Sequence, residues 1–288
     1  MKRWMQTVKT RFLFAASVAC IVILAIIITL ICIFTIKPNA TETASEPEST
    51  VISESVPTDE KNRPDNIVTE STDIETPPIS TEHFIPQSTE VDNTFFADTL
   101  FIGNSITEGF QRFSGLDNAT FYQGRGMTVE NIHRMKVVNA DNSSDMDGNG
   151  DKTIIDALHD RQFNQIYILL GSNELGWVYY DLFINQYADL IDTIRELQPN
   201  AKICVQSILP VSAQRSETDE VYTNEKIEYL NQMIIQMSSQ KNIPYLNAAE
   251  VFKNENGALS EEHTTDGIHL TPEACKTWYM YVKTHIMQ

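Results

Sequence analysis

The chain has 288 residues, with 39 acidic against 21 basic side chains and a net charge of −18. A nucleic-acid binder needs a basic face to neutralise phosphates, so this balance argues against one. Four cysteines, Cys20, Cys32, Cys204 and Cys275, show neither metal-ligand spacing nor a dense disulfide pattern. Cys204 and Cys275 therefore read as small buried hydrophobes rather than a bridge.

Three zones follow one another. Residues 1–11 carry Lys2, Arg3, Lys9 and Arg11, and residues 12–36 then run without a charge. That run is long enough to cross ~30 Å of hydrocarbon as a helix. The basic residues before it place 1–11 in the cytoplasm and everything after Lys37 outside. The expectation is a single-pass anchor in the cell membrane with an extracytoplasmic domain. A cleaved signal peptide is the competing reading, with Pro38-Asn39-Ala40 near the cut. Residues 37–92 are rich in Ser, Thr, Glu and Pro, and their apolar residues have no period. Such a stretch buries too little surface to offset its ordering entropy, and it reads as a disordered acidic linker.

From residue 93 to residue 288 strand and helix patterns alternate. The predicted strands are 99–102, 119–122, 165–170, 202–207 and 243–246. The predicted helices are 129–135, 153–161, 181–197, 224–240 and 272–284. In 181–197 the apolar residues Leu182, Phe183, Tyr187, Leu190, Ile191 and Ile194 recur at helical spacing, and Pro199 follows the end. Thr271 caps the last helix and Pro272 opens it. Alternation of this kind predicts an α/β fold with a mostly parallel five-stranded sheet. Sites in such folds form beyond the C-terminal strand ends.

Four stretches fall at those ends. Phe101-Ile102-Gly103-Asn104-Ser105 places a serine at a strand-to-helix turn, where the hydroxyl projects from the sheet. Alone it reads as a helix cap rather than a nucleophile. Gln123-Gly124-Arg125-Gly126 offers free backbone N–H groups. Gly171-Ser172-Asn173-Glu174 offers an amide donor. Asp266-Gly267-Ile268-His269 offers a base and a carboxylate within one turn. A serine nucleophile needs a base, and the base needs an orienting carboxylate. Ser105, His269 and Asp266 fit those roles. The N–H groups of Ser105 and Gly126 and the Asn173 amide can converge on a developing oxyanion.

Ser, Gly, Asn and His in four separate blocks, in that order, resemble the SGNH or GDSL-type esterase/lipase superfamily. The resemblance covers about residues 94–286. It implies a flavodoxin-like three-layer α/β/α fold and acyl-ester chemistry without a metal or other cofactor. It assigns Ser105 as nucleophile, His269 as base, Asp266 as its orienting partner, and Ser105, Gly126 and Asn173 as the oxyanion hole, with Gly124 the alternative second-block glycine and the Gly126-Met127-Thr128-Val129 context favouring Gly126. Two positions depart from the pattern. Asn104 stands where the family has an aspartate before the serine, and Glu174 stands where an aspartate follows the asparagine.

Other groups carry weaker signals. Glu174 is an alternative orienting carboxylate, although its place beside Asn173 favours a structural or substrate role. His263 is near enough in sequence to line a pocket rim. Trp177, Val178, Tyr179 and Tyr180 can stack on a sugar if exposed. Asp145 to Asp156 has the oxygen spacing of a calcium loop, with Asp in place of the final Glu. It is read as an acidic surface loop, and no metal is expected. Three functions are compatible with the sequence. One is an extracytoplasmic esterase removing acetyl or other acyl groups from a surface or extracellular carbohydrate. The second is an acyltransferase of the same fold, and the third a non-catalytic binding module.

Overall fold

In the computed structural model, which describes residues 81–288, the elements follow in a regular order. They are β1 (Thr99–Gly103), α1 (Ser105–Phe113), β2 (Thr120–Gln123), β3 (Lys136–Val138), β4 (Lys152–Thr153) and α2 (Ile154–Asp160). Then come β5 (Gln165–Leu169), α3 (Tyr180–Leu197), β6 (Lys202–Gln206) and α4 (Ala213–Thr218). The chain ends with α5 (Asn224–Lys241), β7 (Tyr245–Leu246) and α6 (Pro272–Thr284). The expected membrane anchor and most of the expected linker lie outside the described residues. Among the described residues no helix is long and apolar enough to cross a membrane.

The main sheet is parallel throughout, in the order β2-β1-β5-β6-β7. The direction of winding reverses at β1, and the crevice between β1 and β5 is the switch point where such sheets bind ligands. All residues of β1 and β5 are buried, as strands covered on both faces must be. Alternation along them supplies two cores. Leu100, Ile102, Ile166, Ile168, Ile203 and Val205 pack with α2, α3 and α5. Phe101, Tyr167, Leu169, Cys204 and Leu246 face α1 and α6 on the other side. The result is three layers, α/β/α.

The second core positions the site. Phe110 of α1 meets Trp278 of α6 with ring centroids 4.4 Å apart. The two helices therefore pack together, and both start at the C-terminal edge of the sheet. Cys204 and Cys275 are buried free thiols in this region.

Several features differ from the sequence expectations. Residues 129–135 were expected to be helical, but only Asn131–His133 form a short 3-10 turn. Thr128 and Asn131 exchange side-chain bonds with each other's backbone, and the Val129 N–H is taken by Glu174. The Thr128–Asn131 pair is a capping arrangement that starts one helical turn, and the chain leaves helical geometry at Arg134, where φ is −129°. The β3–β4 hairpin was not foreseen, because its strands are short and the loop between them is mostly Asp, Asn, Ser and Gly. Residues 83–91, expected in the linker, pair with the domain instead. Ile85 N–H donates to the Tyr245 carbonyl at 2.9 Å, and Val91 N–H donates to the Lys283 carbonyl at 3.1 Å.

The calcium-like spacing is used differently. Asp156 forms a capping box with Thr153 at the start of α2. Asp147 pairs with Arg125 at 2.9 Å, and Asp151 accepts from the Ala140 N–H at 2.8 Å. Among the described residues, no three His, Cys, Asp or Glu side chains come together as a metal site.

Candidate active site

Ser105 is the first residue of α1, directly beyond β1. Gly103 permits the turn, since a Cβ there would lie 2.9 Å from the Leu169 carbonyl of the neighbouring strand. Asn104 caps the helix by accepting from the Ile106 N–H at 3.0 Å. The Ser105 N–H is one of the first N–H groups of the helix, which have no intrahelical acceptor.

The Ser105 hydroxyl lies 3.0 Å from His269 Nε2, and His269 Nδ1 lies 2.7 Å from Asp266 Oδ2. The other Asp266 oxygen accepts from the backbone N–H of Ile268 at 2.9 Å and of His269 at 2.8 Å. Asp266 thus fixes both the ring and the chain that carries it. Burial works to raise its carboxyl. The bonds from the His269 ring, the His269 N–H and the Ile268 N–H outweigh that and hold it down at about 2. An ionised Asp266 favours the tautomer with the proton on Nδ1, leaving Nε2 as an acceptor for the serine proton. The His269 loop is anchored by Ser212, whose N–H donates to the Gly267 carbonyl at 2.9 Å. His269 and Asp266 side chains are 48% and 51% exposed, so the site opens onto the surface.

The glycine and asparagine stretches meet beside this trio. Gly124 N–H donates to the Gly103 carbonyl at 3.3 Å, tying the β2 loop to the end of β1. Gly126 has φ +70°, a conformation that favours glycine, and a Cβ there would meet nothing within 4 Å. Among the described residues its N–H donates to no backbone carbonyl. Asn173 Nδ2 donates to the Met127 carbonyl at 2.8 Å. That bond uses one amide hydrogen and leaves the second available.

Glu174 is fully buried and accepts from the Val129 N–H at 2.7 Å. Asp266 holds the position of orienting carboxylate, and Glu174 serves the loop instead. Burial pushes its carboxyl up to about 7. His263 sits in the turn Glu261–His263 and meets Phe252 edge-on, with ring centroids 5.6 Å apart. Trp177 and Tyr180 are partly buried against the core, whereas Val178 and Tyr179 are 84% and 73% exposed.

Two features of the site were not read from sequence. Asn104 Nδ2 donates to Ser172 Oγ at 2.8 Å, joining the first and third stretches. Arg125 binds both oxygens of Glu108 on α1, at 2.7 and 3.0 Å, and also pairs with Asp147. Its place between Gly124 and Gly126 was the available signal for the second.

A doubly wound parallel sheet thus carries serine, histidine and aspartate in hydrogen-bond contact beyond β1, the arrangement that a serine nucleophile requires. The chain belongs to the GDSL-like lipase/acylhydrolase family, whose model matches residues 101–276. It is an SGNH/GDSL-type hydrolase acting on ester bonds. No curated protein matches the sequence. Some solved structures are similar to this chain. A candidate platelet activating factor from Streptococcus pneumonia is 24% identical, with 65% of this chain and 82% of that chain covered and a TM-score of 0.50. A GDSL-like lipase from Bacteroides thetaiotaomicron is 20% identical, with 65% and 86% covered and a TM-score of 0.47. A carbohydrate acetylesterase from Sinorhizobium meliloti is 15% identical, with 64% and 95% covered and a TM-score of 0.46.

Proposed function

We propose that this hydrolase is a serine esterase that removes short acyl groups, acetyl foremost, from a carbohydrate outside the cell. The observation that carries the chemistry is the pair of bonds running from Ser105 Oγ through the His269 ring to Asp266. Ser105 Oγ attacks the acyl carbon and passes its proton to His269 Nε2. Asp266 holds Nδ1–H and stabilises the imidazolium that forms. The carbonyl oxygen, now an anion, takes the N–H groups of Ser105 and Gly126 and the free amide hydrogen of Asn173. Collapse of the tetrahedral adduct expels the alkoxide, which takes the proton from Nε2. Water then attacks the acyl-serine as His269 Nε2 takes its proton; the second adduct collapses by breaking the acyl C–Oγ bond, the proton returns from Nε2 to Ser105 Oγ, and the acid leaves.

The exposure of His269 and Asp266 supports a bulky substrate. A surface-open site admits an ester on a polymer and leaves water free to act as acceptor. Val178 and Tyr179, exposed in the segment that follows Asn173, supply apolar surface for a sugar ring. The placement of the domain outside a membrane rests on the uncharged run at 12–36 and the basic residues before it.

The test incubates the purified chain with acetylated glycans, with and without an acceptor sugar, and follows free acetate and transferred acetyl together. Release of acetate that an acceptor does not suppress supports the esterase. Transfer to the acceptor in place of release makes the chain an acyltransferase, and neither product removes the acetylated-carbohydrate reading.

A further inference from the structure

The proposed reaction leaves one buried acid without a task. Glu174 is 0% exposed, at the end of the turn Ser172–Glu174. Its Oε1 accepts from the Val129 N–H, and its Oε2 is buried with no hydrogen-bond partner among the described residues. Burying a polar oxygen without a partner is costly, and an apolar side chain of similar size avoids that cost.

The benefit lies in the loop it grips. Asn173 holds the carbonyl of Met127, and Glu174 holds the N–H of Val129. Two adjacent residues of one turn thus hold two points of the loop after β2. Gly126 stands one residue before the first point. Only a 3-10 turn follows, so no long helix fixes this stretch from within. Burial, which raises the Glu174 carboxyl, favours the neutral acid, and a glutamine side chain copies that form closely.

We propose that Glu174 is a positioning residue: by holding the Val129 N–H it aims the Gly126 N–H at the oxyanion of the reaction. The inference rests on the oxyanion role proposed above for Gly126. Glu174 itself does not touch substrate.

The test compares wild type, Glu174→Ala and Glu174→Gln as full chains. It uses p-nitrophenyl acetate hydrolysis, amide hydrogen exchange at 126–129, and thermal melting. Glu174→Ala should lower kcat by ~10- to 100-fold while KM stays within about twofold, the signature of a misplaced transition-state donor. Exchange at Val129 should speed up by about tenfold or more as its acceptor is lost. Glu174→Gln keeps an acceptor oxygen and should bring both readouts to within about threefold of wild type. Should Glu174→Ala fail to fold, Glu174→Leu fills the volume without an acceptor and takes its place. Unchanged kcat in a folded Ala or Leu variant overturns the proposal, as does unchanged Val129 exchange. A folded Gln variant as impaired as Ala also overturns it. A wild-type chain that hydrolyses no ester sinks the esterase reading separately, and the exchange data then decide the grip on the loop.

Discussion

Asn104 donates from Nδ2 to Ser172 Oγ at 2.8 Å while its Oδ1 accepts from the Ile106 N–H at 3.0 Å. The Ile106 bond fixes which end of the amide is oxygen, so the direction of the Ser172 bond follows. One fully buried side chain thus caps α1 and ties the serine turn to the asparagine turn. Asn104→Ala should destabilise the chain by ~0.5–2 kcal/mol, as expected for loss of a helix cap. Asn104→Asp keeps the cap oxygen and lets Ser172 donate instead, so it should cost less. Urea denaturation of the three proteins checks this ordering.

Asn173→Ala should lower kcat by ~10²–10³-fold, the loss typical of one missing oxyanion donor, with KM moving little. Steady-state kinetics on a small ester measure it. An unchanged kcat removes Asn173 from the site.

Stability should fall as pH rises between about 4.5 and about 7 through Glu174. Its folded value is raised to about 7 from the ordinary 4.5, so in this window the folded chain keeps a proton that the unfolded chain has lost. Tyr187, the ionisable side chain interacting with it, stays neutral because burial raises it further still. Asp266 works in the opposite sense. Its value is lowered to about 2 from 3.8, so its contribution is present above 3.8 and is lost as pH falls toward 2. Urea midpoints across pH should show a falling component between 4.5 and 7 that Glu174→Gln flattens.

Trp278→Ala should cost ~3–5 kcal/mol, since it empties the contact between α1 and α6. Those helices set Ser105 against His269, so any folded fraction should label more slowly with a serine-directed probe. Calorimetry and labelling rates on the same sample check both effects.

Tyr179→Ala should leave hydrolysis of p-nitrophenyl acetate near wild type and raise KM for an acetylated glycan. Tyr179 is 73% exposed, so its removal opens no cavity. Equal KM for both substrates in wild type and variant counts against a sugar platform there.

The sheet and the side chains that meet at its edge were legible in the sequence because both depend on local pattern. Apolar runs such as 99–102 and 165–170 mark buried parallel strands, and Asp266 and His269 lie within one turn of each other. The place of Glu174 beside Asn173 pointed to a structural or substrate role, but its grip on the Val129 N–H, 45 residues away in the chain, left no local signal. The Asn104–Ser172 bond is equally non-local. The stretch 129–135 has helical composition and a capping pair at Thr128 and Asn131, yet only one turn forms before Arg134 leaves helical geometry. Short strands such as Lys152–Thr153 carry too few residues for any period to show.

The most direct test is covalent. A fluorophosphonate probe reacts with a serine only where a base activates it and donors stabilise the adduct. Incubation of the chain with such a probe, followed by peptide mass spectrometry, should find Ser105 labelled once per chain. Ser105→Ala should abolish labelling, His269→Ala should slow it by orders of magnitude, and Asp266→Asn should slow it less than His269→Ala does. Labelling at another serine, or ester hydrolysis at the wild-type rate in Ser105→Ala, would contradict the account and leave Ser105 as nothing more than the first residue of a helix.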